Sequence, residues 1–209
     1  MLKRLLGVLL LGLLMTGVRA GSTPTEGKDY TLLSKPSALV SGHQVAVQEF
    51  FWYGCPHCFH LLPLLNAWQK KQPAWVHLEL VPAALTPLWQ IDARAYYAAQ
   101  ARGVAAKLHD EMFNAIHRDG KSALVNDPQA IAQFYESHGA GAHFLDLMNS
   151  MVIFGKVNFA AEQARNAQIE GVPSLIIDGK YLVDYHAGEP DQMLRVVDYL
   201  VHKEHALVH

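Results

Sequence analysis

The chain has 209 residues, of which 17% are charged, and its formal net charge is −2 at pH 7. This length suits one or two compact units with a sizeable core. So few charges, almost balanced in sign, favour neither a nucleic-acid partner nor an acidic one, and we expect no nucleic-acid binding. The twelve histidines are scattered, and no segment collects a pattern of metal ligands.

The first twenty residues have the pattern of a secretory signal peptide. Lys3 and Arg4 precede a leucine-rich run over residues 5–18, and the segment ends in Val18-Arg19-Ala20, where small residues flank the expected cleavage site. The apolar run is shorter than the roughly 20 residues that a membrane-spanning helix needs. We therefore expect residues 1–20 to be a signal peptide, cleaved near Ala20, and the mature chain to be soluble where disulfides can form.

A β-α-β pattern opens the remaining chain. Residues 44–53, QVAVQEFFWY, carry β-branched and aromatic residues on both alternating faces, which indicates a strand covered on both sides. Residues 56–71 begin with proline and have leucines along one face, which predicts a helix. Residues 76–81 predict a second strand, parallel to the first because a helix connects them.

The middle of the chain has a helical pattern over residues 89–168, interrupted by glycines. Strand character returns at residues 174–177 and 180–183, around an Asp178-Gly179 turn that is typical of hairpins. Residues 189–202 predict a last helix. The order predicts an α/β layer structure built from residues 21–85 and 151–209, with an all-helical insertion over residues 86–150.

Both cysteines of the chain, Cys55 and Cys58, lie in the segment FFWYGCPHCFH. A disulfide across two residues restricts the unfolded chain too little to be a structural staple. Cys55 falls where strand meets helix, so free N–H groups and the helix dipole favour its thiolate, and His57 adds positive charge if protonated. We therefore expect Cys55 to be the exposed, low-pKa thiolate that reacts with substrates, and Cys58 to form or resolve the internal disulfide.

A metal or haem site is a further alternative for this motif. Cys55, His57, Cys58 and His60 offer four possible ligands, but no second CxxC or paired histidine motif completes a tetrahedral site. Covalent haem attachment needs histidine directly after the second cysteine, where this chain has Phe59. We therefore expect a redox pair with no bound metal or cofactor.

Four segments together resemble the DsbA-type periplasmic thiol:disulfide oxidoreductases of the thioredoxin superfamily. They are the CPHC centre, the preceding EFFWYG, the early GKDYTLLSKP and the late GVPSLIIDGKY. The resemblance covers nearly all of the expected mature chain. It implies an α/β protein with a thioredoxin fold and an inserted all-helical domain. It also implies a location in the periplasm.

The resemblance also implies the composition of the site. Pro56 and His57 are the dipeptide between the cysteines and shape the reactivity of the centre. Val172-Pro173 is expected to be a cis peptide packed against the sulfurs, with the Val172 backbone pairing with substrate as a short added strand. The alternative is an ordinary loop proline before a strand.

Glu49 is the other residue that the resemblance singles out. It shares a strand face with Val47 and Phe51, so we expect a buried acid of raised pKa that moves protons to or from Cys58. The alternative is an ordinary glutamate at a strand edge. The best-known relatives place a lysine on the neighbouring strand near this acid, whereas AWVHLELVP has none, and His77 is the substitute that the sequence offers.

The activity implied is that of a periplasmic oxidase, which donates the Cys55–Cys58 disulfide to cysteines of exported, folding proteins through a mixed disulfide. A DsbB-like, quinone-linked membrane oxidase would reoxidise the pair. One alternative is a disulfide isomerase or reductase of the same fold. An isomerase needs a dimerisation domain, and only about two dozen residues separate the signal from the first strand, so we expect a monomer. The other alternative is a redox-independent chaperone that binds unfolded chains through apolar residues beside the site.

Overall fold

The structure is a computed structural model that describes residues 22–35 and 44–207. The expected signal peptide and its cleavage near Ala20 lie outside the described residues. Over those two ranges, no helix is long and apolar enough to cross a membrane.

A five-stranded mixed sheet forms the centre of the fold. Its strands are β1 (Thr31–Leu32), β2 (Val45–Phe51), β3 (Val76–Pro82), β4 (Ser174–Ile177) and β5 (Tyr181–Val183), and their spatial order is β1-β5-β4-β2-β3. β3 runs parallel to β2, as the β-α-β pattern predicts, and the other neighbouring pairs are antiparallel. Every residue of β2 is buried, because this strand has a neighbour on each side and helices on both faces.

The described residues form eight α-helices. They are α1 (Pro56–Gln69), α2 (Pro87–Ala101), α3 (Ala105–His117), α4 (Ala123–Asn126), α5 (Pro128–Tyr135), α6 (Phe144–Met148), α7 (Met151–Asn166) and α8 (Pro190–Leu207). A π-helical turn, Glu136–Ala140, follows α5, and a 3-10 turn, Tyr185–Ala187, precedes α8. Two of the helix starts show why they form: Thr86 and Asp127 cap free N–H groups of α2 and α5, each directly before a proline.

Helices cover both faces of the sheet. On one face, α1 and α8 bury Leu61, Leu65 and Val197 against Val47 of β2. On the other face, the small residues Ala160 and Ala164 let α7 pack closely on the sheet beside Phe50, Val81 and Ile176. This three-layer arrangement leaves the carboxyl ends of β2 and β3 and the start of β4 at one edge, since Phe51 pairs with Pro82 and Phe50 with Ser174.

The helices between β3 and α7 pack around the end of β2. Phe51 and Tyr53 make edge-on ring contacts with Tyr96 of α2 and Phe113 of α3, at centroid distances of 5.3 and 5.0 Å. The helical part therefore shares its core with the last residues of the central strand. The division at residues 85 and 150 stays a prediction, and α7 contacts both parts, with Ile153 packed among the helices and Ala160 on the sheet.

The predicted α/β architecture with a helical insertion is confirmed, with shifted element ends. β2 ends at Phe51 rather than residue 53, because Trp52 and Tyr53 turn away towards the helices. The sequence pattern missed β1, whose two residues are too short for a periodic signal. It also ended α8 too early, since that helix continues to Leu207.

Candidate active site

Cys55 lies where β2 leads into α1 and is the N-cap residue of that helix. Its backbone is extended, with φ −87° and ψ 116°, and its amide N–H donates to the carbonyl of Trp52 at 3.0 Å. Pro56 occupies the first helical position, where a missing N–H is tolerated. The sulfur therefore sits at the helix end that has free N–H groups and partial positive charge.

The site favours the thiolate of Cys55 and lowers its pKa to about 6, from an ordinary value of 9.0. The largest cause is a hydrogen bond from the Cys58 thiol, and the backbone N–H groups of Cys58 and His57 act in the same direction. The charge of His57 adds a smaller effect, while burial opposes all of these. The direction is the one expected from the sequence, but the main donor is Cys58 rather than the helix end or His57.

Cys55 is less exposed than we expected, with only 7% of its surface accessible. The loop before β4 explains the difference, because it brings Val172 over the sulfur. The Cys55 thiol donates to the Val172 carbonyl at 3.3 Å, and the Val172–Pro173 peptide is cis. A partner must therefore approach the sulfur along the side that this loop leaves open.

Cys58 completes the first turn of α1 and has no exposed surface. Burial raises the pKa of its thiol well above the ordinary range, and the hydrogen bond to Cys55 and the charges of Cys55 and Glu49 raise it further. Both thiols are free in the structure. The reduced pair is therefore asymmetric, with a ready thiolate at Cys55 and a proton held on Cys58.

Glu49 lies inside the fold, on the face of β2 that points towards α1. It is 2% exposed, and its Oε2 has no hydrogen-bond partner within the described part of the chain. Burial, and then the negative charge of Cys55, raise the pKa of Glu49 to about 8 from 4.5. A carboxyl group in these surroundings is protonated near neutral pH, and its charge, when it ionises, raises the pKa of Cys58.

The lysine-free strand β3 does not place His77 beside Glu49. In the parallel register Glu49 pairs with Leu80 and His77 pairs with Ala46, so the two side chains alternate onto opposite faces. The suggestion that His77 replaces the missing lysine is therefore wrong. On the face of His77, the Gln48 amide donates to the Glu79 carboxylate at 2.8 Å.

A cleft of about 510 Å³ reaches Glu49 from the outer edge of β3. Its walls include Leu62 and Asn66 of α1, Tyr96 of α2 and Asp110 of α3. Glu49 therefore lines a space large enough for water, although almost none of its own surface is accessible.

The two histidines beside the cysteines, His57 and His60, are exposed on the first turns of α1. Across residues 22–35 and 44–207, no group of three or more His, Cys, Asp and Glu side chains is arranged to hold a metal ion. The charge of His57 acts on Cys55, whereas His60 faces outward beside Phe59.

Sequence reasoning missed a buried polar group next to the site. Asp92 of α2 and His109 of α3 are 2% and 3% exposed, and burial raises the pKa of Asp92 well above its ordinary range. His109 bonds to the hydroxyl of Tyr53, and His117 of α3 bonds to the carbonyl of the same tyrosine. The two histidines do have a signal in the sequence: they lie eight residues apart on an apolar helix face, which indicates inward-facing side chains.

Alkylation of the reduced protein tests the electrostatics directly. We expect the rate at Cys55 to rise with pH around a midpoint near about 6, since only the thiolate reacts. Cys58 should stay unmodified over the same range because it is buried and protonated. The measurement is iodoacetamide labelling followed by mass spectrometry. Substituting Cys58→Ala should move the midpoint upward, because it removes the largest source of thiolate stabilisation, and an unchanged midpoint would contradict that assignment.

Comparisons with known proteins agree on one kind of relative. A family model described as a DSBA-like thioredoxin domain matches residues 46–195. The thiol:disulfide interchange protein DsbA of Pseudomonas aeruginosa is 35% identical over 184 residues, which cover 87% of this chain and 86% of the relative. The protein of the same name from Azotobacter vinelandii is 36% identical over 212 residues and 98% of each chain.

Solved structures give the same result. The crystal structure of Pseudomonas aeruginosa DsbA matches with a TM-score of 0.80 at 35% identity, covering 88% of this chain and 96% of that one. The oxidoreductase DsbA from Xylella fastidiosa matches with a TM-score of 0.81 at 33% identity, covering 88% of this chain and 98% of that one.

Proposed function

This chain belongs to the family of DSBA-like thioredoxin-domain proteins, and we propose that its Cys55–Cys58 disulfide is donated to reduced substrate proteins. Membership confirms the resemblance seen in the sequence and the thioredoxin fold with a helical insertion. The activity of the chain is that of a thiol:disulfide oxidoreductase with a disulfide-forming role.

The asymmetry between the two cysteines is the observation that carries the proposal. The Cys55 thiolate is stabilised in the reduced state, with a pKa of about 6, while Cys58 is buried and protonated. Whatever stabilises the reduced thiolate makes the disulfide a stronger electron acceptor. The pair therefore favours passing its disulfide on over accepting one.

The first step forms a mixed disulfide. A substrate thiolate attacks Sγ of Cys55, a bond forms between the two sulfurs, and the Cys55–Cys58 bond breaks. Cys58 leaves with the electron pair as a thiolate. Because its surroundings strongly disfavour charge, this sulfur takes a proton, and protonated Glu49 is the donor that we propose.

The second step releases the product. Another substrate thiolate attacks the substrate sulfur of the mixed disulfide, the substrate becomes oxidised, and Cys55 leaves as a thiolate. The hydrogen bond from Cys58 and the N–H groups of His57 and Cys58 stabilise this leaving group. The new negative charge raises the pKa of Glu49, so the carboxylate recovers a proton through its cleft.

The backbone of Val172 is the substrate-pairing element that we propose. Its carbonyl accepts a hydrogen bond from the Cys55 thiol at 3.3 Å. Once Cys55 is a thiolate or a mixed disulfide it has no proton to give, so this carbonyl becomes available to a substrate N–H. An extended substrate can then pair with Val172 beside Pro173 while its cysteine reaches Cys55.

The partners and the location follow from the expected export of the chain. Substrates are reduced proteins that arrive in the periplasm, and a DsbB-like, quinone-linked membrane oxidase restores the Cys55–Cys58 disulfide. A cleavable signal over residues 1–20 delivers the chain as a monomer to the same compartment.

The reduction potential of the pair tests this function. We expect a value well above the roughly −270 mV of thioredoxin and towards the roughly −120 mV of strongly oxidising DsbA proteins. The measurement is an equilibrium titration in glutathione buffers, followed by thiol alkylation. A value close to that of thioredoxin would reverse the assignment to a reductase, and binding of unfolded chains that survives loss of both thiols would favour a chaperone.

A further inference from the structure

Helix α3 presents two histidines to the turn before the reactive cysteine. His109 and His117 are eight residues apart, about two helical turns, and so lie on one face of the helix. Both bond to the same residue, Tyr53, at its two ends. Tyr53 precedes Gly54 and Cys55, so α3 holds the chain two residues before the reactive sulfur.

His117 contacts the chain on both sides of Cys55. Its Nε2–H donates to the Tyr53 carbonyl at 2.8 Å. Its ring stacks on Phe59, in the first turn of α1, with ring centroids 5.0 Å apart and an interplanar angle of 17°. One imidazole therefore ties the end of the β2 segment to the start of α1.

His109 fixes the other end of Tyr53. The Tyr53 hydroxyl lies 3.1 Å from Nδ1 of His109, and the Tyr135 hydroxyl of α5 donates to the Tyr53 hydroxyl at 3.5 Å. Burial lowers the pKa of His109 to about 3, so its ring is neutral and shares one hydrogen bond with the Tyr53 hydroxyl through Nδ1. The side chain is thus held within the helical insertion while His117 holds the backbone.

We propose that His117 is a positioning residue for Cys55, and that the helical insertion sets the reactivity of the cysteine through it. The thiolate depends on how the sulfur lies relative to the N–H groups of His57 and Cys58, and the turn that His117 fixes determines that placement. This inference rests on the proposed function and adds a route from the insertion to the reacting sulfur. Because His109 holds the Tyr53 side chain and His117 holds the Tyr53 carbonyl, two contacts fix the orientation of the residues before Cys55.

The test compares His117→Ala with His117→Gln in the full-length protein. We expect His117→Ala to move the alkylation midpoint of Cys55 upward by about one pH unit, the effect of losing roughly one hydrogen bond to a charged group. Oxidation of a dithiol peptide should slow in parallel. His117→Gln should restore both, because the glutamine amide reaches as far as Nε2 and donates to the Tyr53 carbonyl without carrying charge.

His138→Ala is the matched control. His138 also donates to a backbone carbonyl, that of Phe134, at 2.6 Å. Its ring stacks on the Phe134 ring with centroids 4.2 Å apart, but both contacts stay within one helical segment. We expect this variant to keep the wild-type midpoint. A midpoint unchanged in His117→Ala would overturn the proposal, and a glutamine variant shifted as far as the alanine variant would show that the hydrogen bond to the Tyr53 carbonyl does not position Cys55, which would overturn it as well.

The readout is independent of the proposed function. Alkylation reports the Cys55 thiolate even if the wild-type protein fails to oxidise the peptide, so a failure of the proposed function and a failure of the positioning role of His117 are separate results. If His117→Ala does not fold, His117→Asn takes its place, because its shorter amide donates near the position of Nδ1 and misses the Tyr53 carbonyl. An asparagine variant with the wild-type midpoint would then refute the proposal.

Discussion

Replacing Cys55 by alanine is expected to reduce the oxidation of a dithiol peptide to the uncatalysed rate. The remaining thiol, Cys58, has no exposed surface and a pKa well above its ordinary range, so it neither meets a substrate nor ionises. In the mechanism proposed above both half-reactions pass through Cys55, and Cys58 is the only other cysteine of the chain. The measurement is the rate of peptide disulfide formation with glutathione disulfide as the terminal oxidant.

Cys58→Ala is the matched partner of that variant. It also lacks an internal disulfide and should not turn over, yet its Cys55 should attack glutathione disulfide and form a stable mixed disulfide while releasing reduced glutathione. Intact-mass measurement separates the two variants, with one adduct expected on Cys58→Ala and none on Cys55→Ala. The reverse pattern would exchange the roles of the two cysteines.

Glu49→Gln is expected to raise the free energy of unfolding of the reduced protein by about 3 kcal/mol at pH 7. In the folded chain the pKa of Glu49 is about 8 against an ordinary 4.5, so folding at neutral pH requires proton uptake. The contribution of protonated Glu49 to the free energy of unfolding is fully present below about pH 4.5 and is lost as the pH rises towards 8. The gain from glutamine should therefore be small at pH 4 and grow up to about pH 8.

Denaturant unfolding at several pH values, in both redox states, measures this effect. The oxidised protein lacks the Cys55 charge that raises the pKa of Glu49, so its gain should be smaller. Glu204→Gln is the contrasting control, because Glu204 is equally buried but paired with Lys180 and with the Tyr181 hydroxyl at 2.6 Å. That substitution should destabilise the protein, and a pH-independent effect of Glu49→Gln would contradict the buried-acid assignment.

The sequence predicted those parts of the fold in which a periodic pattern of apolar residues ends at a clear turn or helix-start signal. The β2-α1-β3 unit and the β4-β5 hairpin follow from β-branched runs, Pro56 and the Asp178-Gly179 turn. The two-residue strand β1 has no period to read, and its pairing with β5 is decided by tertiary packing. The turn of Trp52 and Tyr53 out of the sheet likewise depends on partners far away in the chain.

For the active site, the sequence predicted only the features that depend on neighbouring residues in the chain. Neighbouring residues define the helix end at Cys55, so the direction of its pKa shift follows from the motif, whereas the main cause, the hydrogen bond from the Cys58 thiol, appears only in the structure. The burial of Cys55 under Val172 joins positions 117 residues apart, and a single sequence does not report that distance. The same limitation explains the error at His77, because the face of an edge strand depends on a register that composition leaves open.

The two free cysteines at the start of α1 bear on how the catalyst itself matures. Three packed hydrophobic clusters hold the described chain together, and the only two thiols of the 209 residues are the reacting ones. Folding of this protein therefore needs no cross-link of the kind that it supplies to others. A newly made copy can therefore reach its native shape while both thiols are still reduced, before any oxidant meets them.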